Sequence, residues 1–128
     1  MNRFIFLIIV LITFSCGEKQ NETKIEVVKE KIIKEFGFTL NNFNVKKDTI
    51  ESGDSFGLIL EKNNLFYPKI YNIVQETKKV FDIRKINVGR PYTILSSKDS
   101  LNQHLIFIYQ QNAIDYLVVS LGDSLWAE

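Results

Sequence analysis

The chain is poor in the residues that build most catalytic and disulfide-bonded sites. It contains one cysteine, Cys16, and one histidine, His104, among 128 residues. One cysteine excludes an intramolecular disulfide, and one histidine is too few for most catalytic zinc sites. The sequence also has no Gly-x-Ser-x-Gly nucleophile elbow and no glycine-rich phosphate-binding loop. We therefore expect no catalysis by this chain alone, and no metal or cofactor bound to it.

Excess charge of one sign is also missing. Lysine and arginine number 16 against 15 aspartates and glutamates, so the formal net charge is +1 at pH 7. Binding to nucleic acid needs a positive excess, because each contacted phosphate must be neutralised. The charge balance predicts that nucleic acids are not partners of this chain.

Long hydrophobic runs are limited to one, near the N-terminus. Residues 4–14 are apolar except for Thr13 and follow Arg3. A bilayer-spanning helix needs about 20 apolar residues, so this shorter run is typical of a signal peptide. Thr13-Phe14-Ser15-Cys16 resembles a lipobox, in which a small residue precedes the cysteine that becomes lipid-modified. The alternative is that Cys16 is a spare thiol behind an ordinary signal peptide or a weak membrane anchor.

We predict a signal peptide over residues 1–15, lipidation of Cys16, and a polar tether over residues 16–22. Such a lipoprotein would be anchored by its lipid in the cell envelope, and we expect it at the outer membrane, facing the periplasm. Two or more acyl chains suffice for stable anchoring, since each buried methylene contributes about 0.8 kcal/mol.

The remaining chain has the pattern of an α+β domain. Thr23 and Glu26 form a capping box, and apolar residues at helical spacing predict a helix over about 24–36 that ends at Gly37. One strand, or two short ones, follows over 43–51, and the turn Ser52–Ser55 offers Asp54 or Ser55 as a helix cap.

Two short helices and three strands complete the prediction. Phe56, Ile59 and Leu60 form the apolar face of the first helix, which Asn63-Asn64 ends, and Pro68 opens the second. The apolar side of that second helix carries Ile70, Ile73, Val74 and Thr77. Strands over about 92–97, 104–110 and 114–121 then predict a three-stranded antiparallel meander.

Residues 47–95 resemble a LysM module, the βααβ domain that binds glycans containing N-acetylglucosamine. The resemblance lies in Ser52-Gly53-Asp54-Ser55-Phe56, Ile59-Leu60 and Ile86-Asn87-Val88-Gly89. It implies a glycan-binding role, for which the candidate residues are Ser52, Gly53, Asp54 and Ser55. Helix capping is the alternative explanation of Asp54 and Ser55.

A wider resemblance covers residues 23–128. It lies in Asp48-Thr49-Ile50, Tyr67-Pro68-Lys69-Ile70, residues 80–86 and residues 89–95. These strings are similar to the LysM-like, non-catalytic N-terminal region of Bacteroidetes-type, lysostaphin-like peptidoglycan metalloendopeptidases. The zinc motifs of that family, His-x-x-x-Asp and His-x-His, belong to a downstream catalytic domain, and this chain does not contain them.

The resemblance implies a lipid-anchored, non-catalytic module that binds peptidoglycan, or that positions or restrains a peptidase catalytic domain. The alternative function is an envelope lipoprotein that binds a protein partner without glycan contact. We expect His104 to be an exposed or edge histidine. Asp82, Arg84 and Lys85 form either a solvated, ion-paired loop or a contact surface. The five tyrosines could stack on sugars, but we expect most to be packing residues.

Replacing the lipid-accepting thiol (Cys16→Ser) tests the anchor. We expect the variant to lose membrane retention and to keep its fold, because only the lipid attachment is removed. Immunoblots of membrane and soluble fractions measure retention, and circular dichroism checks the fold. A variant that stays in the membrane fraction would show that the lipoprotein interpretation is wrong.

Overall fold

The structure is a computed structural model, and it describes residues 30–128. The predicted signal peptide, Cys16 and the tether over residues 16–22 lie outside the described residues. So do the capping box and residues 24–29 of the helix predicted over 24–36.

The described residues form two antiparallel sheets and two α-helices. A short hairpin consists of β1 (Lys34–Glu35) and β2 (Phe38–Thr39), and the 3-10 turn Leu40–Asn42 follows it. The main sheet has the order β3 (Asn44–Thr49), β4 (Pro91–Ser96), β5 (His104–Gln110) and β6 (Tyr116–Ser120). Helices α1 (Phe56–Lys62) and α2 (Lys69–Thr77), then a 3-10 turn at Ile83–Lys85, connect β3 to β4. The predicted α+β class is confirmed.

The two strands that flank the helices are neighbours in the main sheet. β3 pairs antiparallel with β4, with Asn44 opposite Ser96 and Thr49 opposite Pro91. β4, β5 and β6 continue as an antiparallel meander, with an irregularity between Leu95 and Ser96. The predicted three-stranded meander is therefore part of a four-stranded one.

One face of the main sheet packs against the helices. Phe56, Ile59 and Leu60 of α1 join Ile70 and Ile73 of α2 in a buried cluster with residues of β4, β5 and β6. The ring of Phe107 on β5 lies at its centre. It meets the ring of Phe56 edge-on at 5.4 Å and stacks with the ring of Tyr92 at 5.4 Å. Such aromatic pairs add to the hydrophobic stabilisation of a core.

The opposite face of the sheet is covered by the segment that precedes β3. Leu95, Ile106, Ile108 and Val118 form a second buried cluster with Leu40. The half-buried rings of this segment (Phe36, Phe38 and Phe43) pack against that cluster. The central strands are thus buried on both faces, which explains why β5 reads as a continuous apolar run rather than an alternating one.

The helix predicted over 24–36 is wrong for its last seven residues. Residues 30–33 have no regular structure, β1 occupies Lys34–Glu35, and Phe36 and Gly37 have positive φ values of 53° and 80° in the hairpin turn. The Asn41 side chain holds the incoming backbone, because it accepts from the amide of Ile33 and donates to the carbonyl of Lys31. Pairing with β2 and packing on the sheet therefore override the helical spacing of the apolar residues.

The local signals further along the chain are confirmed. Gly53 has a positive φ of 91°, Ser55 is the N-cap of α1, and Asn63 and Asn64 follow its end, with Asn64 at φ 61°. Pro68 stands immediately before α2, whose buried side carries Ile70, Ile73 and Thr77.

The two outer strands of the main sheet differ in how they are protected. The last residues of the chain cover β6, since Val118 and Glu128 exchange backbone hydrogen bonds and the Ser120 amide donates to the Trp126 carbonyl. Among the described strands β3 pairs with β4 alone, and it carries Lys46 and Lys47, which discourage strand addition. Within residues 30–128 no helix is long and apolar enough to span a bilayer.

Truncation of Ile108 tests whether the second face is covered in solution. We expect Ile108→Ala to lower the free energy of unfolding by about 2–5 kcal/mol, because it opens a cavity beneath the segment that precedes β3. Urea denaturation measures the change.

Ile114→Ala is the matched control, because Ile114 is 82% exposed and its truncation should change stability by less than about 0.5 kcal/mol. If both substitutions changed the free energy of unfolding by equally small amounts, burial of the second face of the sheet would be contradicted.

Candidate functional site

The predicted glycan-binding residues lie together in the turn between β3 and α1. Ser52, Gly53 and Ser55 are exposed, whereas the side chain of Asp54 keeps only 5% of its surface accessible. The turn closes through a hydrogen bond from the Asp54 amide to the Glu51 carbonyl, at 3.1 Å. The structure therefore brings all four residues to one loop, in different environments.

The Asp54 carboxylate is used inside the turn. It accepts from the Glu51 amide at 2.9 Å and from Lys62 Nζ at 2.6 Å. The hydrogen bond from Lys62, followed by that from the Glu51 amide, holds the pKa of Asp54 below its ordinary value. Asp54 thus ties the turn to the last turn of α1.

Ser55 is also engaged locally, because its Oγ accepts from the Leu58 amide at 3.3 Å as the N-cap of α1. The described structure therefore uses Ser55 as the cap of α1 and Asp54 as the link between the turn and Lys62. Only Ser52 and the backbone around Gly53 present free polar surface in this turn.

The turn before β4 lies directly beside the Ser52–Ser55 turn. The Ile50 amide donates to the Arg90 carbonyl at 2.9 Å, and the Gly89 amide donates to the Ile50 carbonyl at 2.8 Å. Gly89 has a positive φ of 81°, which few residues other than glycine adopt without strain. Together, residues 51–55 and 87–90 form one exposed rim at this end of the sheet, which we call the turn rim.

A small polar pocket of about 210 Å³ opens next to the turn rim. At its edge Lys46 Nζ donates to Asn63 Oδ1 at 2.6 Å, and the Tyr92 hydroxyl donates to Asp48 Oδ2 at 3.2 Å. Asn63 is only 2% exposed, and its amide nitrogen donates to the Ile59 carbonyl at 2.7 Å. Burial raises the pKa of Tyr92, so its hydroxyl stays protonated as a donor.

Sequence reasoning did not identify this pocket. Lys46, Asp48, Asn63 and Tyr92 come from two strands and the end of a helix, and no short motif joins them. The sequence indicated Asn63 only as a residue that ends a helix. Its burial depends on where α1 lies against the sheet.

His104 is the first residue of β5, a strand that is paired on both sides, and it is half-buried rather than exposed or on an edge strand as predicted. Its Nδ1 lies 2.7 Å from Ser96 Oγ on the neighbouring strand. Ser96 is itself buried, so a substrate cannot reach this oxygen, and the contact serves as a cross-strand hydrogen bond. Within residues 30–128, no group of three histidine, cysteine, aspartate or glutamate side chains is arranged to hold a metal ion.

The charged group at residues 82–85 forms a local ion pair. Arg84 donates from Nε to Asp82 Oδ1 at 2.9 Å, and from its second terminal nitrogen to Asp82 Oδ2 at 3.0 Å. These bonds lower the pKa of Asp82 to about 2. The group thus forms an ion-paired loop, with Lys85 exposed beside it, and a contact surface for a partner domain stays the alternative.

The prediction that most tyrosines are packing residues holds for three of the five: Tyr92, Tyr109 and Tyr116. Tyr92 and Tyr109 are buried, and the Tyr109 hydroxyl accepts from the Asn87 amide at 3.0 Å. Tyr116 is partly exposed but its ring packs edge-on against the Phe36 ring at 5.2 Å, whereas Tyr67 and Tyr71 are more exposed. A tyrosine fits either environment, so residue type alone did not separate the two groups.

Comparisons of the chain with protein-family models, with curated proteins and with solved structures find no match.

Neutralising Asp54 (Asp54→Asn) tests its place in the turn rim. We expect a lower melting temperature at about pH 7, because the amide cannot form the ion pair with Lys62. The pKa of Asp54 is lowered in the folded protein, so its stabilisation is complete above its ordinary value of 3.8. The stabilisation disappears as the pH falls through the folded-state pKa, and the difference between wild type and variant should then vanish.

Thermal melts followed by circular dichroism across this pH range measure the difference. Asp123→Asn is the control, because Asp123 is exposed and forms no salt bridge among residues 30–128. A difference between Asp54→Asn and wild type that is as large at low pH as at about pH 7 would contradict the ionic contribution.

Proposed function

We propose that this chain is a lipid-anchored, non-catalytic module of the cell envelope that binds peptidoglycan glycan at the turn rim. The observation that carries the proposal is the junction of the Ser52–Ser55 turn with residues 87–90 through backbone hydrogen bonds of Ile50. It gives an exposed, rigid edge of polar groups at one end of the sheet.

The arrangement of β3, α1, α2 and β4 supports the proposal. β3 and β4 are antiparallel neighbours in the sheet, and the two helices lie between them in the sequence. This is the order expected of a LysM-like unit. Because Asp54 and Ser55 hold the turn, we assign them a positioning role. Ser52 and the backbone at Gly53 then face the glycan.

The polar pocket beside the turn rim suits the same ligand. Amide, carboxylate, ammonium and phenol groups line it, so it offers both donors and acceptors to sugar hydroxyl or acetamido groups. Lys46 and Lys62 face Asp48, Asp54 and Glu51, so neither sign of charge dominates. A neutral, multiply hydroxylated ligand fits such a lining better than a strongly anionic one.

The outer edge of β3, which pairs with no further strand within residues 30–128, supports a second candidate function: the positioning or restraint of a peptidase catalytic domain or another protein partner. Beside this edge lies a shallow apolar groove of about 260 Å³, lined by Ile33, Leu40 and Val45. The ion pair between Lys47 Nζ and Glu35 Oε2, at 2.8 Å, borders it. Crosslinking in cells that recovers a protein partner, without retention on glycan, would favour this function.

Retention of the full-length lipoprotein on purified sacculi tests glycan binding. We expect the wild type to be retained at moderate salt and Ser52→Arg to be retained severalfold less, because a long charged side chain would obstruct the turn rim. Immunoblots of pelleted and unbound fractions measure retention.

Ser100→Arg is the matched control, since Ser100 is exposed in the loop between β4 and β5, at the opposite end of the sheet from the rim. No retention of the wild type would remove the glycan-binding function. Equal retention of wild type and Ser52→Arg would move the binding surface away from the turn rim.

A further inference from the structure

A wide cleft of about 680 Å³ lies at the end of the sheet opposite the turn rim. Its walls are the α1–α2 loop at residues 64–69, the end of the β4–β5 loop with the start of β5, and residues 122–123 after β6. This volume falls within the range of about 300–1,000 Å³ that is typical of small-ligand sites. The cleft has no role in the fold or in the proposed turn-rim site.

Two adjacent aromatic side chains stand exposed on the α1–α2 loop wall. Phe66 is 67% exposed and Tyr67 is 75% exposed. Water contact with two neighbouring large rings is unfavourable, and such apolar exposure commonly marks a binding surface. Both rings line the cleft, so a ligand in it would cover them.

The loop that carries these rings is held firmly by its backbone. The buried Leu65 donates from its amide to the Leu60 carbonyl at 3.1 Å, and the Phe66 carbonyl accepts from the Ile70 amide at 3.2 Å. The backbone is therefore fixed on both sides of Phe66 and Tyr67 before any ligand arrives. Less ordering is then needed on binding, which favours affinity.

Polar side chains without partners surround the two rings. The amides of Asn64 and Gln103 and the carboxylate of Asp123 line the cleft, are exposed, and make no side-chain hydrogen bond within residues 30–128. An amide offers two donors and an acceptor, and a carboxylate accepts only. Lys69 and Asp123 carry opposite charges, so the cleft does not select an anion or a cation.

We propose that this cleft binds a neutral oligosaccharide, with sugar rings stacked on Phe66 and Tyr67. The C–H face of a pyranose is apolar and packs on an aromatic ring, while its equatorial hydroxyls point outward to hydrogen-bonding groups. Asn64, Gln103 and Asp123 are placed to meet those hydroxyls. The inference rests on the proposed glycan class, but it assigns a second surface at the other end of the sheet.

A peptide is less suited to this cleft. β5 is paired on both sides and the outer edge of β6 is covered by the C-terminal residues, so neither strand can accept an added peptide strand. An amphipathic helix would need a long apolar groove, whereas here unpaired polar groups share the lining with the aromatic rings.

Removal of both rings (Phe66→Ser with Tyr67→Ser) tests the inference. Calorimetric titration of the full-length lipoprotein in detergent with chitotetraose and with cellotetraose measures affinity for two neutral oligosaccharides. We expect the wild type to bind one or both oligosaccharides. The affinity of the double variant should be lower by about tenfold or more, because stacking on both rings is lost.

Tyr71→Ser is the matched control, because Tyr71 is also an exposed tyrosine but lies on α2 outside the cleft. It should bind like the wild type, and thermal melts should show all variants folded. Equal binding by the double variant and the wild type would overturn the cleft site and leave glycan binding at the turn rim standing.

Failure of the wild type to bind either oligosaccharide would also overturn the inference. Retention on sacculi then decides the turn-rim function separately. A proline-rich peptide that binds the wild type but not the double variant, with no oligosaccharide bound, would assign the cleft to a protein partner instead.

Discussion

The burial of β5 on both of its faces is the constraint on which the rest of the domain depends. Ile106, Phe107, Ile108 and Tyr109 follow one another in the strand and are all buried. An antiparallel strand of this kind needs a cover on each side, because alternate side chains point in opposite directions. The helices supply one cover, and the segment from Phe36 to Phe43 supplies the other.

Two-faced burial creates a second requirement, a defined register. A slip of one residue exchanges the faces of a strand, and two apolar faces do not discriminate strongly against that exchange. Polar contacts at the ends of the strands supply the missing specificity. Ser96 bonds His104 across one end, and the Asn87 amide donates to the Tyr109 hydroxyl near the other. A slip would break these bonds and leave buried polar groups unpaired, which is costly.

The sequence predicts those parts of the fold that are determined by residues close together in the chain, and it fails for those determined by distant residues. The Ser55 cap, the end of α1 at Asn63 and the start of α2 after Pro68 are decided within a few residues, and each prediction is confirmed. The structure of residues 30–36 is decided by Asn41, by pairing with β2 and by the contact of Phe36 with Tyr116 on β6. A helical spacing of apolar residues does not contain that information.

The same limit applies to the candidate site. The Ser52–Ser55 turn was predictable because its four residues are consecutive and their turn chemistry is local. The polar pocket and the aromatic cleft each combine residues from three or more segments, so their composition follows only from the fold. The exposure of Tyr67 and the burial of Tyr109 illustrate this, since nothing in the local sequence ranks one above the other.

The topology keeps the turn rim and the cleft apart. The turn rim lies where β3 ends and β4 begins, whereas the cleft lies where β4 ends and β5 begins. β4 has six residues, and at about 3.4 Å per residue it separates the two by roughly 20 Å. Substitutions at sites so far apart, without shared contacts, act almost independently. Loss of one proposed binding surface should therefore leave the other intact, and a glycan held at both would have to span the length of the sheet.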